Sequence, residues 1–190
     1  MQVLPALDIE QNRAARKYSS GEILRRVLWS FGQWLFRLSP RSFFGWRCWL
    51  LRLFGAQIGH DVHIYGSAMI YFPWNLRIGD WSCIGEGALV YNLGTVTIGQ
   101  HVTVSQRAHL CAGTHDYRKA DMPLLKPPIE IEDQAWICAD AFLGPGVTVG
   151  EGAVVGARAV VMKDVDPWIV VVGNPARFIK MRELPIEEGR

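Results

Sequence analysis

His115, in the segment Gly113-Thr114-His115-Asp116-Tyr117, carries the side chain best suited to moving a proton near neutral pH. A positioned imidazole can act as a general base toward a hydroxyl. Two other chemistries share its neighbourhood. Cys111 could be a nucleophile with His115 as its base, but it follows the aliphatic Leu110 and reads as a corner residue. His101, His109 and His115 are of a type that binds zinc. Asp116 adjoins His115, so its side chain diverges and it receives no role. His60 and His63 read as surface residues. Taken alone, His115 is slightly better explained as a surface loop histidine. The elements that would position it must decide.

Those elements are written in a six-residue beat. Ile58, Ile64 and Ile70 begin it, followed by Ile78, Ile84, Val90, Ile98, Val104 and Leu110. After a gap it resumes with Ile131, Ile137, Leu143, Val149, Val155 and Val161. The position four further on is small, from Val62 and Ala68 to Ala159 and Val165, with Trp74 as the exception. Residues i and i+4 share one face of a strand, so a large aliphatic lies beside a small residue and together they fill a narrow prism. A period of this kind signals a parallel β-helix, with three hexapeptides to each triangular coil. The registers group as five coils, with two extra residues after Ile70 and after Val90 as corner bulges. Glycines directly after the aliphatic, such as Gly79 and Gly85, suggest corners at positive φ. Surplus residues between Leu110 and Ile131 predict a loop near 114–128. His115 therefore ends the third coil where the loop departs.

Residues 1–56 are a different material. Glu22–Leu38 has helical spacing, with Ile23, Val27, Ser30, Phe31, Trp34 and Leu38 on one face, and Ser39-Pro40 stops it. A second helix is expected from about Arg41 to Phe54. These aromatics predict a cap over the open end of the prism. The segment carries nine Arg and Lys against Asp8, Glu10 and Glu22, whereas the rest of the chain is acidic by four charges. That asymmetry argues against a uniform polyanion surface and nucleic-acid binding. It also suggests a weak, salt-sensitive contact with an anionic membrane surface, without insertion. The start lacks an apolar signal-peptide core, and no run of eighteen apolar residues occurs. Cys48, Cys83, Cys111 and Cys138 lack CxxC spacing and read as reduced residues of a cytoplasmic protein. The expected division is a helical cap at 1–56, a β-helix at 57–166 and a C-terminal tail at 167–190.

Four segments carry a family resemblance: residues 74–92, 95–117 with its GTHDY, 136–165, and GNPARFIK at 173–180. The chain resembles the hexapeptide-repeat acyltransferases, and among them the colanic-acid and exopolysaccharide O-acetyltransferases. The resemblance implies a left-handed winding and an acetyl-CoA-dependent O-acetyltransferase acting on a sugar hydroxyl in surface-polysaccharide synthesis. It implies direct transfer with His115 as general base, no metal, and a homotrimer. The acceptors of similar enzymes are lipid-linked at the inner face of the cytoplasmic membrane. For the cofactor, the resemblance points to Trp136 beside the pantetheine arm, backbone groups near Ala139 and Ala157, and the cations Lys163, Arg177 and Lys180 on the phosphates. For the acceptor it points to Asn92, with Tyr117 as a stacking aromatic. A xenobiotic acetyltransferase would use the same machinery on another acceptor. A non-catalytic or zinc-hydratase prism is the alternative from a different class, although the spacings of His101, His109 and His115 do not match hexapeptide carbonic anhydrases.

Overall fold

The computed structural model describes residues 6–185. The first five residues of the N-terminal stretch considered for a signal peptide lie outside them. From Gln57 onward the chain winds as a three-faced parallel β-helix. The first face stacks Gln57–Ile58, Leu76–Ile78, Val96–Ile98, Ile129–Ile131 and Thr148–Val149. The second stacks His63–Ile64, Cys83–Ile84, Thr103–Val104, Trp136–Ile137, Val154–Val155 and Ile169–Val172. The third stacks Met69–Ile70, Leu89–Tyr91, His109–Cys111, Phe142–Leu143 and Val160–Val161. Every one of these neighbours pairs in parallel, in register with the aliphatic beat: Ile64 with Ile84, Ile84 with Val104, Ile137 with Val155. The aliphatics and the small residues four positions on make one continuous buried core.

The winding continues beyond the expected boundary at 166. Val165 bridges Val149, and Ile169–Val172 adds a parallel strand to the second face. The tail then turns back as Arg177–Met181, antiparallel to that strand, and covers its edge.

The glycines that follow the aliphatics have another role than the one expected. Positive φ falls three residues after the aliphatic, at Asp61, Trp81, His101 and Gln134 on one corner, and at Gly87, Arg107, Asp140 and Arg158 on the next. The glycines are needed for close stacking of coils. A Cβ at Gly79 would lie 2.7 Å from the amide nitrogen of Gln100, inside van der Waals contact.

The N-terminal segment forms three helices: α1 (Ile9–Ala14), α2 (Ser20–Leu38) and α3 (Phe44–Leu53). Ser19 and Glu22 close a capping box at the start of α2, satisfying two otherwise orphaned donors. α3 packs on the first coil, and α2 packs on α3. The Trp29 indole donates to the carbonyl of Ile70 at 2.8 Å, and its ring meets Phe54 edge-on. The expected cap is present, but α2 is rotated relative to the expected face. Trp29, Gly32 and Phe36 face inward, whereas Ile23, Val27, Phe31, Trp34 and Leu38 lie exposed. The reason is steric: the ring of Phe54 closes on Gly32, leaving no room for a Cβ there.

Candidate active site

The segment 114–128 leaves the corner between the third and first faces. Thr114–His115 pairs antiparallel with Leu124–Leu125, and His115 lies directly opposite Leu124. His115 Nδ1 is 2.6 Å from the carbonyl oxygen of Met122. A carbonyl only accepts, so Nδ1 is the donor in this contact, and the tautomer it selects leaves Nε2 as the nitrogen that can accept a proton. The Asn12 amide of α1 donates to the same Met122 oxygen and to that of Asp121, both at 2.6 Å. Lys17 Nζ in turn donates to Asn12 Oδ1. Asn12 therefore braces the same carbonyl that holds the His115 ring. The sequence offers no signal for it, because α1 is six residues long and lacks apolar periodicity. Asp116 turns away and pairs with Arg118 at 2.9 Å, which holds its carboxyl below the usual range.

α1 and the hairpin enclose a cleft of about 260 Å³ lined by Asn12, Arg16, Lys17, Asp121, Leu124 and Lys126 among others. Opposed residues of an antiparallel pair project to one side. Leu124 thus sets the side of the hairpin on which His115 also projects.

Of the other residues singled out in the sequence, Trp136, Arg177 and Lys180 lie on the second face. Trp136, Val154, Val170 and Lys180 are successive register partners across four strands. They form a row of roughly 14 Å at the usual strand spacing. The exposed Trp136 ring is held by its indole N–H donating to Ser105 Oγ at 2.9 Å. Ala139 and Ala157 stack one coil apart on the corner beyond this face. The carbonyl of Ala139 accepts from the amide of Arg158. Arg177 pairs with Val172 at the end of the same sheet. Lys163 lies elsewhere, on the third-to-first corner, and faces Arg177 across a 460 Å³ cleft at the C-terminal end of the prism.

Two acceptor candidates are separated from this arrangement. Asn92 is fully buried. Its amide accepts from the Phe72 N–H and donates to the Phe72 carbonyl, so it ties the bulge after Val90 to the one after Ile70 in the coil before. Tyr117 is exposed at the hairpin tip. Cys111 is half-buried beside the Gly113 carbonyl, and burial pushes its thiol up, away from nucleophilic use. His101 occupies a corner, and His109 projects from the third face against Phe142. The three histidines thus point to different sides. Among the described residues, no group of three His, Cys, Asp or Glu side chains could hold a metal ion.

The bacterial transferase hexapeptide family (six repeats) matches residues 128–163. The chain is 42% identical over 157 residues to the colanic acid biosynthesis acetyltransferase WcaF of Escherichia coli K12, covering 83% of this chain and 86% of that one. It is 27% identical over 134 residues to the galactoside O-acetyltransferase of the same bacterium, covering 69% of this chain and 66% of that one. A hexapeptide-repeat acetyltransferase from Vibrio cholerae, solved with acetyl coenzyme A, superposes with a TM-score of 0.80 at 27% identity, over 88% of this chain and 92% of that one. The fold and the repeat define a hexapeptide-repeat transferase. Within that class, the chain belongs to the acetyltransferase family that includes WcaF.

Proposed function

We propose that the protein transfers acetyl from acetyl-CoA directly to a sugar hydroxyl during surface-polysaccharide synthesis. His115 is the general base. Its Nε2 takes the hydroxyl proton as the sugar oxygen attacks the thioester carbon. The C–S bond breaks, and the departing thiolate recovers a proton. The 2.6 Å contact between Nδ1 and the Met122 carbonyl carries this reading, because it leaves Nε2 as the free acceptor. CoA is read along the second face, with its pantetheine beside Trp136 and its polar end toward Lys180 and Arg177. The amides of Ala139 and Ala157 have no backbone acceptor among the described residues and are free to bind pantetheine carbonyls. The acceptor is read in the cleft between α1 and the hairpin. Arg16, Lys17 and Lys126 outnumber Asp121 there, which favours a sugar carrying phosphate or carboxylate. The test is mass spectrometry of anionic and neutral glycan precursors incubated with acetyl-CoA. Gain of acetyl by none of them would refute the proposal.

The separation of His115 from the second-face row within one chain supports a homotrimer, in which each hairpin reaches the neighbouring prism. The third face also offers an outward stripe of Met69, Leu89, Phe142 and Val160 for such a contact. Light scattering at micromolar concentration should give about three times the 21.4 kDa chain mass. A monomeric mass would overturn the composite site.

Lys163 and Arg177 are exposed, so their contacts with CoA phosphates are solvent-screened. Lys163→Ala or Arg177→Ala should raise KM for acetyl-CoA about three- to tenfold with little loss of kcat, because phosphate contacts serve ground and transition states alike. Equal KM values for variant and wild type would remove these residues from the cofactor site.

A further inference from the structure

α2 is amphipathic in the reverse sense of a core helix. Ile23, Leu24, Val27, Leu28, Phe31, Trp34, Leu35 and Leu38 all point away from the prism, each between 45% and 70% exposed. At 100° per residue they fill an arc of about 140°. The inward face is already satisfied by Trp29, Gly32 and Phe36, so no rotation could bury both faces on this chain. α3 adds Phe43 at its cap and Trp46, Trp49 and Leu53 along its length, all exposed, with the two indoles stacked at 5.1 Å. An exposed apolar helix face on this scale marks an interaction site.

The charges say what covers it. Residues 20–54 carry six arginines and one acid, Glu22. Arg47 is buried, and Arg41 pairs with Glu86. Arg37 is exposed on one margin of the apolar arc, Arg26 on the same side stacks over the Tyr18 and Phe72 rings, and Arg25 is exposed near the N-terminal end of α2. An apolar stripe on a net-basic helix pair, flanked by Arg37 and carrying an exposed tryptophan, suits the boundary between acyl chains and anionic headgroups. A second copy of the same face would set like charges rim to rim. No described helix is long and apolar enough to cross a membrane. We propose that the outward face of α2, with Trp46 and Trp49 of α3, is a monotopic membrane-binding surface that inserts its apolar side chains shallowly into an anionic leaflet.

Shallow insertion differs from the purely electrostatic contact expected from charge alone, because salt should weaken it without abolishing it. The inference does not depend on the acetyl-transfer reading, since binding is measured without turnover. The full-length protein is floated with phosphatidylcholine vesicles and with vesicles containing phosphatidylglycerol, at low and high salt. Wild type should float with the anionic vesicles and retain part of that binding at high salt. Phe31→Asp with Leu28→Asp should lower partitioning at least tenfold, with unchanged helicity and unchanged mass by light scattering. Arg37→Glu should weaken the preference for anionic lipid. Failure of wild type to float at low salt would overturn the proposal, and so would flotation of the aspartate variant like wild type. A fall in wild-type mass on making that variant would identify the face as a contact between copies and would equally overturn it.

Discussion

Replacing His115 with alanine is expected to lower kcat by about 10²–10⁴, the span typical of losing a positioned general base. The expectation rests on the hydrogen-bond inventory of one ring. Nδ1 is committed to the Met122 carbonyl, so the proton-accepting nitrogen is Nε2. Asn12 binds the same carbonyl, so the loop that orients the ring is braced from α1 and is independent of the ring itself. His115→Ala should therefore leave the hairpin, the oligomer and acetyl-CoA affinity as they are. Steady-state kinetics with the identified acceptor, together with calorimetric CoA titration, check both halves. Turnover at the wild-type rate would end the assignment. A parallel collapse of CoA affinity would show that the residue binds cofactor and does not accept a proton.

The repeat was legible because its physics is local. An even period with alternating large and small residues can be satisfied by few structures, and Ile58 to Val161 fall inside the prism as their spacing requires. The loop at 114–128 was legible as the one large break in that period. Other features depend on contacts that no spacing encodes. The glycines after the aliphatics look like turn residues, yet their requirement comes from the coil stacked about 4.8 Å away. The face of α2 could not be read from its own periodicity. Its outward stripe is the more hydrophobic one, and the inward one is fixed by contacts distant in sequence, the Phe54 ring over Gly32 and the Trp29 indole on the Ile70 carbonyl. Asn92 has the residue type of an acceptor ligand but spends both amide groups on Phe72. Asn12 and the basic cleft arise from a contact between residues more than one hundred positions apart, Asn12 with Asp121 and Met122.

Arg47 is the second residue with a large expected effect, and here the effect is on stability. Its side chain is fully buried beneath the cap, yet it has no carboxylate partner. The guanidinium donates to the carbonyls of Ile64, Pro40 and Arg41 and to Ser39 Oγ, and it lies 4.9 Å from the Phe44 ring. One planar fork thus joins the α2–α3 turn, the helix that bears it and the first coil of the prism. Removing it strands the buried Ile64 carbonyl, costing about 1–3 kcal/mol if unsatisfied, gives up the bonds to the part-buried Pro40 and Arg41 carbonyls and to Ser39 Oγ, and opens a void at the seam. Arg47→Ala should cost on the order of 3–5 kcal/mol and lower Tm by roughly 6–15 °C at fixed protein concentration. Arg47→Lys should recover little, because a single ammonium cannot meet acceptors spread over a planar fork. The loss should be local at first. Limited proteolysis of Arg47→Ala should release the N-terminal helices while the prism resists, since the stacked coils have their own core. A melting temperature within a degree or two of wild type, with cap and prism cleaved together, would show that the cap is held by Trp29 and its apolar neighbours instead.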